Sequence, residues 1–133
     1  MSKKFLISVV VMFVMAMALG YVVHALLLGQ DYAQLAHLYR PLEDHAGKFP
    51  QMLVAHVFIA VGFTWIYLQG KEDKPFLLQG VRYGVAIAVL MTIPTYLIYY
   101  AIQPLPAALV IKQIVFDTIG VVAMGIVVAW LNR

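Results

Sequence analysis

Five side chains able to bind, pair or exchange protons stand in otherwise apolar sequence: His24, His56, Lys112, Gln113 and Asp117. Ionisable groups inside apolar helices are costly, so such residues face a bundle interior or a watery cavity and serve as default site candidates. Lys112 and Asp117 are five residues apart, about 140° around a helix, too far round to form an i, i+4 ion pair. The expected arrangement has Lys112 extending toward the nearer helix end. Asp117 then turns inward, protonated or bonded to Gln113 or to a residue of a neighbouring helix. A desolvated carboxyl at such a depth suits proton handling, which makes proton-coupled transport or ion permeation centred on Asp117 one functional reading. His24 and His56 stand at similar depth on consecutive helices, a placement from which two imidazoles could hold one haem iron or one metal. His37 and His45 lack ligand spacing and read as solvated. No nucleophile, base and acid share a recognisable spacing, so an enzyme is not expected.

The elements that position these residues are four apolar runs: residues 5–28, 51–69, 76–102 and 107–131. Each is long enough to cross a hydrocarbon core of about 30 Å as an α-helix. The composition agrees, with 64% hydrophobic and 11% charged residues in a chain of 133, far from the soluble norm. Gly29-Gln30-Asp31 stops the first run and Pro50 is expected to open the second. Gly70 with Lys71-Glu72-Asp73-Lys74-Pro75 divides the second from the third, and Gln103-Pro104-Leu105-Pro106 the third from the fourth. Lys3-Lys4 followed by an apolar stretch to Ala16-Met17-Ala18 also fits a cleavable signal peptide, yet the run continues to Leu28, the length of a full span. The fold expected is all-α: an integral membrane four-helix up-down bundle forming one domain, residues 1–133.

Basic residues orient it. With the N-terminus in the cytoplasm, Lys3, Lys4, Lys71, Lys74, Arg82 and Arg133 lie inside and only Arg40 and Lys48 outside, so both ends are expected in the cytoplasm. His24, His56 and Lys112 then share an outer layer, roughly 6 to 9 Å from the boundary at about 1.5 Å per residue. In the outer connection, residues 29–50, Asp31 is expected to cap a short interfacial helix carrying Tyr32, Leu35, Ala36 and Tyr39, ended by Arg40-Pro41. Tyr96, Tyr99 and Tyr100 at outer ends, and Trp65, Tyr67 and Trp130 at inner ends, read as interfacial belts.

Small residues mark close helix packing: Gly80, Gly84 and Ala88 in the third span, Ser8, Ala16 and Gly20 in the first, Gly125 and Ala129 in the fourth. They serve packing within the bundle or, for the third span, contact with a second copy. Pro94 is expected to kink the third span, with Thr92 and Thr95 near the carbonyl it frees. The net charge of +3 is dispersed at span ends, which excludes nucleic acid as a partner and leaves the lipid bilayer, a second copy or a larger membrane complex. The absence of cysteine removes thiolate chemistry.

The stretches Gly20-Tyr21-Val22-Val23-His24-Ala25-Leu26-Leu27-Leu28 and Val110-Ile111-Lys112-Gln113-Ile114-Val115-Phe116-Asp117 resemble those of small uncharacterised four-span bacterial inner-membrane proteins. The resemblance covers nearly the whole chain, implies the four-span fold and that location, and brings no activity. Small drug exporters and dual-topology fluoride channels are of similar size, but the first-span glutamate of the former and a signature of the latter are missing. A four-helix membrane protein, stand-alone or an accessory subunit without a cofactor, is the first expectation. The proton or ion reading follows, then haem b or a metal at His24 and His56.

Overall fold

Ser2 starts the first helix by accepting the Phe5 N–H at 3.2 Å, which satisfies one of the donors a helix start leaves unpaired. The computed structural model describes residues 2–133, and these are built from helices alone. Helix α1 runs Lys3–Leu27 and its last part, Tyr21–Leu27, widens into a π turn closed by Leu28 N–H on Val23 O. A short helix α2 covers Gly29–Ala33. Helix α3 spans Leu42–Gln69, α4 Phe76–Ile102 and α5 Ala107–Leu131. These three and α1 are each long and apolar enough to cross a membrane.

Three elements differ from the sequence expectation. Helix α3 begins at Leu42, so Pro50 lies inside it. Pro41 precedes the first turn, and Glu43 and Asp44 there complement the positive end of the helix dipole. The whole segment Leu42–Met52 is solvent-accessible, so water can take the backbone bond that Pro50 cannot make. In the connection, Asp31 lies in the first turn of α2 and does not cap it, and a 3₁₀ turn at Ala36–Leu38 follows. In α4, Pro94 is accommodated by a π turn at Ala88–Thr92, where Ile93 N–H reaches Ala88 O. The wide turn gives the proline ring room; Thr92 and Thr95 make no side-chain bond among the described residues.

The bundle packs in the order α3, α1, α5, α4. At the end bearing the chain termini, Met12, Ala60, Phe63, Tyr67, Met124, Val128 and Ala129 form a buried core. Tyr83 closes it between α3 and α4, edge-on to Phe63 and Tyr67 with centroids 4.7 and 5.4 Å away, and donates its hydroxyl to Phe63 O at 2.5 Å. Tyr67 is thus a core residue, whereas Trp65 and Trp130 stay exposed as a belt requires. Asn132 donates to the fully buried Ser8 Oγ at 2.9 Å, tying α1 to the end of α5.

Helices α4 and α5 make the closest crossing, and glycine is required there. A Cβ on Gly80 would stand 2.6 Å from Ile126 Cα, one on Gly84 2.5 Å from Val122 Cα, and one on Gly125 against Gly80 O. Together with the buried Ala88, this stripe is consumed inside the chain, where small residues let two backbones approach. Gly20 plays a milder part, since its added Cβ would meet only His56 Nε2 at 3.8 Å.

At the opposite end, which carries the connection between α1 and α3, Val23, Leu28 and Leu109 form a second small core. Tyr32, Leu35 and Phe116 pack against it. The apolar side of α2 is therefore taken by the chain's own helices, and α2 sits as a cover on α1 and α5.

Candidate functional site

Under that cover, α1, α2, α4 and α5 each deliver polar side chains to one place. The π turn of α1 carries His24, α2 carries Tyr32, α4 carries Tyr96, and Gln113 and Asp117 lie one turn apart on α5. His24 bridges the group. Its Nδ1 is 2.7 Å from Tyr32 Oη and its Nε2 is 3.2 Å from Asp117 Oδ2. Tyr96 donates its hydroxyl to the same Asp117 oxygen in a short bond and lies 3.4 Å from His24 Nε2. Gln113 donates from Nε2 to Tyr32 Oη at 2.9 Å.

The direction of each bond follows from what each atom can give. The Gln113 amide N–H uses the Tyr32 oxygen as acceptor, so the Tyr32 hydroxyl hydrogen goes to His24 Nδ1. The ring proton then resides on Nε2 and is donated to the Asp117 carboxylate, which also receives Tyr96. The chain reads Gln113 to Tyr32 to His24 to Asp117, with Tyr96 meeting it from the other side. The Asp117 carboxylate is thus held by two donors from two other helices, with an imidazole as one of them. Side-chain exposures of 36% for His24 and 22% for Asp117 leave both within reach of protons from the connection end.

Tyr32 is stacked on His24 with centroids 5.9 Å apart and touched edge-on by Tyr39 at 5.3 Å. Burial pushes its phenol up to about 12, against a lowering by the Gln113 bond. Tyr32 therefore remains a neutral donor over the physiological range. Lys112 is set apart from the cluster. It pairs with Asp31 of α2 at 2.9 and 3.2 Å, so its charge latches the cover instead of facing Asp117.

The sequence candidates divide accordingly. His24, Gln113 and Asp117 are brought together, while Lys112 and His56 have separate partners. Gln113 bonds Tyr32 and not Asp117. His56 is held by its own helix, Nδ1 to Met52 O at 2.7 Å, with Nε2 toward Gly20. Both nitrogens of His24 are engaged by Tyr32 and Asp117, and the two histidines have different surroundings. The arrangement does not fit one iron or metal shared between them. Among the described residues no three His, Cys, Asp or Glu side chains gather as metal ligands would.

Two members of the site, Tyr32 and Tyr96, are not singled out by residue type, because tyrosines near helix ends resemble belt residues. The stripe Gly80, Gly84, Ala88 does not point to Tyr96 either, because the π turn at Ala88–Thr92 lies between them and changes the phase of the helix.

Compared with family models, with curated proteins and with solved structures, the chain matches none.

Proposed function

We propose that this chain is a multi-pass protein of a bacterial cytoplasmic membrane, both ends on the cytoplasmic side, which takes up and releases protons at His24 and Asp117 in proton-coupled transport. One observation carries the reading: a carboxylate well inside an apolar helix is paired with an imidazole from a second helix and a phenol from a third. An unpaired carboxylate in such a setting would be prohibitive, and the imidazole beside it supplies a second group able to carry a proton. The excess of Lys and Arg at the end bearing the termini supports the orientation, which puts the cluster toward the outer face. The packed core around Phe63, Tyr67 and Val128 at the cytoplasmic end argues against an open pore and for a site that loads from outside.

The test is proton flux into liposomes containing the purified protein and an internal pH dye. Flux that is lost in both Asp117→Asn and His24→Gln supports the reading. No flux in the native protein, or native flux in Asp117→Asn, overturns it. Since the chain has no cysteine, single cysteines at Ser2 and Glu43 report orientation. They should be labelled from opposite sides of the membrane.

A second reading, an accessory subunit of a membrane complex, is favoured by the first two turns of α3, where Leu42 (84% exposed) and Phe49 (44% exposed) present apolar surface outward. Crosslinking from position 42 in native membranes tests it, and a failure to capture any protein removes it.

A further inference from the structure

Gln113 is buried, 5% exposed, yet its Oε1 has no hydrogen-bond partner, and its Nε2 makes one bond, to Tyr32. A buried amide with an idle acceptor beside a hydroxyl is free to rotate and keep one bond to that hydroxyl in either orientation. This matters because both nitrogens of His24 are already occupied. A second ring proton must go to Nδ1, which now accepts from Tyr32. The Tyr32 hydroxyl then has to turn away and find another acceptor. In the present orientation it would meet the Gln113 N–H, donor against donor.

We propose that Gln113 is a rotating positioning residue whose amide reverses the Tyr32–His24 hydrogen bond and so lets His24 hold its second proton. With the ring neutral, Gln113 Nε2–H donates to Tyr32, Tyr32 donates to Nδ1, and Nε2–H donates to Asp117. With the ring protonated, Nδ1–H donates to Tyr32, Tyr32 donates to Gln113 Oε1, and the bond to Asp117 is kept as an ion pair. One proton is gained from the outer side, no covalent bond other than N–H changes, and the amide rotates by half a turn. The charged and titratable groups facing the ring are Asp117 and Tyr96 from the helices and Tyr32 from the cover, with Tyr39 behind it. Lys112 and Asp31 neutralise one another nearby. The proposal rests on the proton-handling reading above and adds to it the element that makes loading reversible.

The experiment is ¹⁵N NMR of the His24 ring and of the Gln113 amide in the full chain, across pH 4 to 9, for native protein and Gln113→Met, which keeps length and loses both polar atoms. In the native protein the amide protons should lie close to the Tyr32 ring while His24 is neutral, and move away as Nδ1 gains its proton. In Gln113→Met the protonated ring loses the acceptor behind Tyr32. The ratio of protonated to neutral His24 at a fixed pH should fall about 2- to 12-fold, the worth of one hydrogen bond. If Gln113 is only a fixed donor, removing it relieves the protonated ring and the ratio rises. A rise, no change, or an amide that stays in place through the native titration overturns the switch and leaves the proton-handling reading standing. A His24 that never titrates removes both. If Gln113→Met does not fold, the native amide measurement decides alone.

Discussion

Replacing Gly84 by alanine is the sharpest test of how this bundle is held. The new Cβ would stand 2.5 Å from Val122 Cα, 2.9 Å from Val121 O and 3.1 Å from Val122 N. All three are backbone atoms, so no side chain can swing aside. Reaching an ordinary separation of 3.4 Å requires α4 and α5 to part by about 0.9 Å, enough to forfeit much of the dispersion energy along the crossing. Overpacking of this kind costs about 1–3 kcal/mol. Alanine also has a higher helix propensity than glycine by about 1 kcal/mol, which offsets part of the loss. Gly62→Ala separates the two effects, because nothing lies within 4 Å of a Cβ at Gly62 in α3, leaving only the propensity gain. Reversible unfolding in mixed micelles, followed by far-UV circular dichroism, should therefore show Gly84→Ala less stable than native and Gly62→Ala equal to it or more stable. Displacement of α4 also draws Tyr96 from Asp117, so the Gly84 variant should lose the short hydroxyl–carboxylate bond in the infrared carboxylate region. Equal stability of the two variants would refute the close-crossing account.

Other outcomes follow from single contacts. Tyr32 has a folded value of about 12 against an ordinary 10, so it stabilises the fold fully below pH 10 and that contribution disappears as pH rises from 10 toward 12. Hydrogen exchange in α2 should accelerate across that window in native protein and show no such step in Tyr32→Phe. The Lys112–Asp31 pair is partly exposed and should contribute at most about 1 kcal/mol. Lys112→Met should thus speed α2 exchange several-fold at low salt, with the difference shrinking at high salt, and a salt-independent effect would count against the latch. Removing the Ser8 hydroxyl leaves the buried Asn132 Nδ2 with only Val128 O, so Ser8→Ala should lower the free energy of unfolding by about 1–3 kcal/mol. A neutral result would mean water already serves Asn132.

The four long helices are legible in the sequence because hydropathy over some 20 residues is dominated by the requirement to span. The start of α3 is not, since a proline usually marks a helix beginning and Pro50 stands beyond the two exposed turns that precede it. In the site, Asp117, His24 and Gln113 stand out as polar residues in apolar runs. Their partners depend on rotation about the helix axis, which the π turns at Tyr21–Leu27 and Ala88–Thr92 alter by amounts no simple 3.6-residue periodicity contains. The same rotation leaves His56 against Gly20 and out of the cluster. The role of Lys112 was hidden for another reason: its partner Asp31 lies 81 positions away in sequence.

The two π turns bear on mechanics as well as on placement. Each contains one residue more than an α-helix of equal rise, so the segments before and after it are out of phase by about 100°. Helices α1 and α4 are therefore each two segments of different phase, with the glycine-locked crossing and aromatic core below the joints, His24 seated in the joint of α1, and the rest of the polar cluster above. The lower half is fixed by backbone-to-backbone contact, and the facing of each upper segment is set at its joint.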